Sequence, residues 1–486
     1  MSEPSPLPSE LTVERLLVLL VERDAVIEQL TGQVAALQAR LGQNPRNSSR
    51  PPSSEGYAKP APRSQRRASG RRRGAQDGAP GATLRQVSEP YRVLEHAPAV
   101  WRGCGAGLTE APVVSVEARQ VFDLPPVALQ VVAHRLQHRR CGCATVTMAG
   151  RADGVPGGVG APVQYGPGVR AVAAYLVAAQ HLPLARTADT LADLLGAPVS
   201  VATVAAMVEQ AAAGLGSFTE TVRGQLAAAE VVHFDETGLR VDGRLAWVHS
   251  ASTASLSLFT AHARRGVQAM DDAGVLPSFT GVAVHDGWKP YRHYTSDPVT
   301  GVGPVHRLCN AHHLRELTAV TETATASGAD QDWAARLAAL LVEIHHTVEE
   351  GRSAGGQGLA PALLGAYQAR YDRLIRAGHT ANPPTPGRRN TVAANLLTRL
   401  DTQREDVLRF ATDWRVPFDN NLAERDIRMV KIRQKISGCL RTHTGAQAFC
   451  TLRSYLSTAR KQGRNALGVL RQLTDGQPWL PPPRTC

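Results

Sequence analysis

Two apolar runs in this chain each close on an aspartate. "AAAEVVHFDETGLRV" (227–241) carries Asp235, and "GVAVHDGWKPY" (281–291) carries Asp286. A lone aspartate at a strand end is ordinarily a turn or cap residue. A third acid, Glu424, stands in "DNNLAERDIRMVKIRQK" (419–435), where Arg425, Arg428, Lys431, Arg433 and Lys435 follow it. Glu424, Arg428 and Lys431 fall at i, i+4 and i+7, which is one face of a helix. A bland account makes this a solvated helix with one i,i+4 ion pair. The sharper account makes Glu424 a metal ligand beside cations that hold a polyanion.

Which account holds depends on the elements that position the acids. Between Asp235 and Asp286 lie two further strand-like runs, "RLAWVHSAST" (244–253) and "LSLFTAHA" (256–263), and a short helix from Arg264. Three antiparallel strands, a helix and a fourth strand beside the first is the ribonuclease-H-like order of an α/β fold. It sets Asp235 next to Asp286, where two carboxylates repel unless a divalent cation lies between them. A third carboxylate on a helix crossing the same sheet edge completes a two-metal site, and Glu424 is the candidate. Two hard cations ~3.5–4 Å apart activate a water or a 3′-hydroxyl and stabilise the leaving oxygen at phosphorus. Arg428 and Lys431 then face DNA phosphates.

The charge distribution agrees with a nucleic-acid partner. The formal net charge is +12, with +8 in residues 44–75 and +9 in residues 422–471. Within the first segment, Arg66, Arg67, Arg71, Arg72 and Arg73 are expected phosphate contacts of a disordered basic linker, residues 43–88. No apolar run reaches the ~20 residues of a membrane span, and no secretory signal opens the chain. Seven cysteines form no evident disulfide framework, so a reducing cytoplasm is expected.

The remaining sections are accessory. Residues 11–42 carry heptad spacing, with Val13, Leu20, Ile27, Val34 and Leu41 on one seam and Leu16, Leu30 and Leu37 on the other, interrupted by Arg23. That pattern favours a two-stranded coiled coil, hence a homodimer or higher oligomer. Residues 89–150 read as a zinc-ribbon-like module, with a strand-like stretch 115–132 between knuckles bearing Cys104, Cys141 and Cys143. His138, or else His96 or His134, is the fourth ligand if zinc is bound; Trp101 occupies the place of the missing cysteine. A degenerate knuckle held by packing is the alternative. Residues 162–228 read as helical, with a helix-turn-helix pattern centred on a glycine. The catalytic domain is expected over 229–471, with an all-helical insertion at about 310–415 and a tail at 472–486. Cys309, His312 and His313 open the insertion with C-x-x-H ligand spacing; a second metal site is the alternative there to the structural or DNA-facing role that is expected.

Together the words "NSSRPPSSEG" (47–56), "RQVFDLPPVALQVVAHR" (119–135), "HFDETGLRV" (233–241), "VHDGWKPY" (284–291), "CNAHHLREL" (309–317) and "FDNNLAERDIRMVKIRQKISGCLRT" (418–442) resemble the DDE transposases of the insertion-sequence 66 type. The resemblance runs from the leucine-rich N-terminal helix to about residue 470. It implies Asp235, Asp286 and Glu424 as the catalytic triad and Mg²⁺ as the metal. It further implies the element's terminal repeats and target DNA as partners, with companion proteins encoded by the element and a prokaryotic, nucleoid-associated location. Two alternatives stand beside it. One is a ribonuclease-H-like nuclease or resolvase. The other is a transposase-derived DNA-binding protein without catalysis, whose sign would be a lost carboxylate; all three are present.

Overall fold

The computed structural model describes residues 13–41 and 84–483, apart from 101, 126, 157, 298, 328–329 and 384–389. Trp101 and most of the basic stretch 43–88, with Arg66, Arg67, Arg71, Arg72 and Arg73, lie outside the described residues.

Residues Val13–Leu41 form one helix, α1. Between residues 84 and 137 the described residues join no sheet, and Val100 and Gly107 form an isolated antiparallel bridge. The stretch 115–132 forms no strand, contrary to its apolar composition. A strand needs a neighbour's backbone groups, and here Gln120 supplies side-chain bonds instead: its carbonyl accepts from Val87 N at 2.8 Å and its amide donates to Val87 O at 2.7 Å. Val116, Val121, Leu124 and Val131 stay exposed. A small hairpin follows, β1 (His138–Arg140) antiparallel to β2 (Val146–Met148).

Four helices come next: α2 (Pro167–Ala174, running on as a π turn to Ala179), α3 (Leu184–Leu195), α4 (Val201–Ala213) and α5 (Gly216–Ala227). Gly196 closes α3 in the left-handed conformation, and Ser200 caps α4 by accepting from Thr203 N at 3.1 Å. α4 buries Val204, Met207, Val208 and Ala211 and contains no lysine or arginine.

The sheet begins with β3 (Val231–Val241), β4 (Arg244–Ser252) and β5 (Ser257–His262), all antiparallel. Asp242 and Gly243 turn β3 into β4 with φ of 50° and 71°, the two positive values of the tight hairpin that suits strand twist. Helix α6 (Val267–Ala273) then crosses to β6 (Val282–His285) and β7 (Val305–Leu308), both parallel to β3. The order across the sheet is β5-β4-β3-β6-β7. β6, with neighbours on both sides, is buried throughout, as parallel strands usually are. Gly281 permits its entry: a Cβ there would lie 2.4 Å from Ala229 O.

Helices α7 (Asn310–Ser327), α8 (Asp332–Ser353), α9 (Pro361–Ala381), α10 (Val392–Thr402) and α11 (Arg404–Thr412) follow β7. They bury their own core, with Trp333, Leu337, Leu341, Tyr371 and Leu397 at its centre. Three helices end the fold: α12 (Asn421–Ser437), α13 (His443–Lys461) and α14 (Ala466–Thr474). One sheet face packs Phe234, Leu258 and Ala283 with Phe218, Tyr455 and Leu470. The other packs Leu239, Val248 and Phe259 with Ile427, Val430 and Phe449. Residues after α14 belong to this body, since Trp479 N donates to Tyr455 Oη at 3.0 Å.

Candidate active site

Asp235 lies within β3 opposite Ser250 of β4. Ser250 Oγ donates to Asp235 O at 3.1 Å, and the Asp235 carboxylate accepts from Glu236 N at 2.9 Å. The last registered pair between β3 and β6 is His233 with Val284. Asp235 and Asp286 each stand two residues beyond it, so the parallel pairing delivers both acids to the same level of adjacent chain segments. Asp286 is held past the strand end by the turn, its Oδ1 accepting from Trp288 N at 2.9 Å.

The turn has support from below. His306 Nε2 lies 2.7 Å from Tyr294 O, His306 Nδ1 lies 3.0 Å from His285 Nε2, and His285 Nδ1 lies 3.0 Å from Gly287 N. A carbonyl can only accept and a backbone N–H can only donate. His306 therefore carries its proton on Nε2, His285 carries its own on Nε2, and both rings are neutral. Burial holds both below the usual histidine range.

Glu424 comes from the first turn of α12, which is pinned to β3 at both ends. At its start, Asn420 is buried; its Nδ2 donates to Phe234 O at 2.8 Å and its Oδ1 lies 2.9 Å from His233 Nδ1. Asn420 N donates to Cys309 Sγ at 3.2 Å, and the fully buried Arg307 donates to Pro417 O at 3.1 Å and Phe418 O at 2.5 Å. After its end, Leu440 N donates to Arg240 O at 3.0 Å and Asp242 N donates to Leu440 O at 2.7 Å.

Asp235 senses the other two acids. Burial first, then the charges of Glu236, Asp286 and Glu424, push the Asp235 carboxyl well above its usual range. Glu424 Oε1 is buried without a hydrogen-bond partner, 3.6 Å from Arg315 Nη2 and 3.8 Å from His312 Nδ1. An orphaned carboxylate oxygen beside mutually repelling acids is a donor set that a hard divalent cation would satisfy. Asp235, Asp286 and Glu424 therefore fit such an ion.

Glu236 was not singled out in the sequence, yet it is the most enclosed acid nearby. Arg265 donates to its Oε1 from Nε at 3.0 Å and from Nη2 at 2.5 Å, and Tyr291 Oη donates to its Oε2 at 2.6 Å. The Arg265 guanidinium lies 4.0 Å from the Trp288 ring centre and 4.8 Å from that of Trp247. Asn420 and Arg307 were likewise missed. Asn420 carried a weak signal, an amide just ahead of a helix start.

The expected cations of α12 divide. Arg425, Arg428 and Lys435 are exposed. Lys431 turns back, its Nζ donating to Gly238 O at 2.8 Å, and burial lowers its affinity for a proton. Arg433 donates to Gly438 O at 3.1 Å and lies 5.3 Å from the Phe449 ring. Of the zinc candidates, Cys104, Cys141, Cys143 and His138 are all exposed. Cys143 is lowered to about 7, by Thr145 first and with Cys141 contributing, so those two thiols are neighbours. Cys104 and His138 do not join them in a group of ligand spacing. Among the described residues, the group that does so is Cys309, His312 and Glu424.

The sequence profile of the transposase IS66 family matches residues 162–448. The chain belongs to this family. The matched span holds the whole sheet, the helical insertion and all three acids of this IS66-family transposase. A second profile, that of a family of unknown function (DUF6444), matches residues 3–85, which include α1 and most of the basic stretch. No curated protein matches the chain.

Proposed function

We propose that this IS66-family transposase cuts and joins DNA strands at the ends of its element, with Asp235, Asp286 and Glu424 as ligands of two Mg²⁺ ions. The carrying observation is the convergence of the acids: Asp235 and Asp286 at one level of adjacent segments, and Glu424 close enough to raise Asp235. The sheet order, with three antiparallel strands followed by a helix and a parallel fourth strand, supports a ribonuclease-H-like reading of the domain.

When bound, the ions supply an activated water or 3′-hydroxyl and charge neutralisation at the leaving oxygen. The chain's own residues supply position. Asn420 fixes the start of α12 against β3, so Glu424 cannot drift from Asp235. The neutral His285–His306 pair holds the turn that presents Asp286. Arg425, Arg428 and Lys435, on the exposed side of α12, take DNA phosphates, joined by the arginines of the basic stretch. Lys431 and Arg433 instead bind α12 to its neighbours. Dimerisation through α1 and element-encoded companions belong to the same proposal, whereas zinc at the knuckles finds no support, since Cys104 does not come to ligand spacing with Cys141 and Cys143.

The deciding experiment incubates purified protein with DNA bearing the element ends and Mg²⁺, then resolves the products. Strands both cleaved and joined support the reading. Cleavage alone would favour a nuclease, and DNA binding without cleavage would favour a regulator.

A further inference from the structure

Cys309, His312 and Glu424 bring a thiol, an imidazole and a carboxylate within 4.8 Å of one another. Cys309 directly precedes α7, His312 lies in its first turn, and Glu424 lies in the first turn of α12. The site therefore sits where two helix starts meet the end of β7. Two of its atoms are anomalous. His312 Nδ1 and Glu424 Oε1 are both buried, and neither has a hydrogen-bond partner. Their separation of 3.8 Å is too long for a hydrogen bond between them. Buried polar atoms are nearly always satisfied, so two orphans facing each other call for a third party.

An ion pair is the simplest third party, and Arg315 stands 3.6 Å from Glu424 Oε1. It would answer one orphan only, because an arginine cannot satisfy His312 Nδ1 as a protonated nitrogen and repels the imidazolium. A metal ion answers both. Ligand edges around tetrahedral zinc are about 3.3–3.7 Å, given bond lengths of ~2.0–2.3 Å. The His312–Glu424 separation is close to that edge as it stands.

Cys309 is prepared for the same purpose. It is fully buried, and its Sγ accepts the backbone N–H of Asn420 at 3.2 Å. Such outer hydrogen bonds orient ligand atoms. Arg307 lies beside it, fully buried, with its Nη1 lacking a partner. Burial first, and then the Glu424 charge, push the Cys309 thiol up, with the Asn420 N–H and Arg307 opposing them, so it is a bound cation that would displace the proton.

We propose that Cys309, His312 and Glu424 form a second metal site, of zinc class, with three protein ligands and a fourth position open to water. One sulfur, one nitrogen and one oxygen suit a borderline-soft ion and are a poor set for Mg²⁺. Binding forms Zn–S, Zn–N and Zn–O bonds and releases the Cys309 proton to solvent, with no change of oxidation state. The ion ties α7, and with it the helical insertion, to the helix that carries Glu424. Metal uptake does not depend on the strand-transfer reading. Its consequence for catalysis does, because Glu424 would then serve both ions.

Cobalt(II) is the probe, in full-length protein with Cys104, Cys141 and Cys143 replaced by Ser and with no DNA present. With Mg²⁺ in large excess to compete for the carboxylate site, one equivalent of cobalt should bind with a thiolate-to-cobalt charge-transfer band and tetrahedral ligand-field bands. Zinc should displace it, and excess Mg²⁺ should not. Cys309→Ser should abolish the charge-transfer band, and His312→Ala should weaken uptake at least tenfold. A triple-Ser protein without the band, or a band that survives Cys309→Ser, overturns the proposal. Should Cys309→Ser fail to fold by circular dichroism, His312→Ala and Glu424→Gln decide, and unchanged cobalt affinity in both overturns it. Loss of strand transfer in Glu424→Gln with cobalt affinity intact would sink this site and spare the catalytic one. The reverse pattern would do the opposite.

Discussion

Glu424 is the residue on which the two accounts of the basic helix part. As a surface acid with an i,i+4 partner it would contribute a few tenths of a kcal/mol. As the third metal ligand it is required for chemistry. Glu424→Gln keeps the shape and removes the charge, so metal-dependent strand transfer should fall by orders of magnitude. DNA affinity should hold, because Arg425, Arg428 and Lys435 are untouched. Arg428→Ala should do the reverse, weakening binding on all sequences and flattening its salt dependence. Strand-transfer assays and binding titrations on the same preparations separate these outcomes; wild-type transfer by Glu424→Gln would refute the assignment. Asp235 adds a stability signature. It is buried among Glu236, Asp286 and Glu424, which all oppose its charge. Asp235→Asn should therefore abolish transfer yet stabilise the metal-free protein, on the order of 1 kcal/mol. Mg²⁺ should raise the melting temperature of the wild type far more than that of the variant. A lower melting temperature for metal-free Asp235→Asn would contradict the crowding of charge.

At the scale of elements, the strands that lead to Asp235 and Asp286 were legible from their apolar, β-branched residues, although β3 runs on past Asp235 to Val241, and the insertion helices because their periodicity is long. β7 was not legible. It has four residues, Val305–Leu308, two of them His306 and Arg307, and it is a strand only because β6 offers it a parallel edge. Residues 115–132 failed in the opposite sense: the composition of a strand was present and the partner was not. The site shows the same division. That the three acids come together could be read from their places in the chain. Lys431 could not be told from Arg428, since only the fold reveals that Gly238 O waits under it. Glu236 was invisible because its partners Arg265 and Tyr291 arrive from other elements. The fold also buries histidines that must stay neutral. His181 and His249 are each lowered from 6.5 to about 4, by burial first. The unfolded chain takes up these protons near pH 6.5 and the folded chain does not. Stability should then be level above pH 6.5, fall progressively towards pH 4, and level off below for these two groups. Urea unfolding followed from pH 7.5 to 5 tests this; a flat profile would contradict it.

The whole molecule has one element without a visible reason to exist alone. α1 is 29 residues long and presents Leu20, Leu30, Val34 and Leu37 at 43–55% exposure. A helix in a protein owes most of its stability to packing of its apolar face rather than to propensity. Its heptad spacing is kept over about four repeats, and burying each leucine is worth roughly 1.5–3 kcal/mol. A second copy of the same helix would cover that stripe residue for residue, and Arg23 at a seam position would set register at some cost in stability. The proposed joining of two element ends would also have a use for two chains, each with a basic stretch following its α1. The expected assembly is a homodimer through α1. Replacing Leu30 and Leu37 by Asp leaves the sheet and its acids untouched, so the folded body should persist by circular dichroism while the mass by light scattering halves. The variant should still cleave a single element end, but joining of paired ends should fall steeply. An unchanged mass after both substitutions, with the body folded, would show that the chains meet elsewhere and that the stripe on α1 serves another partner.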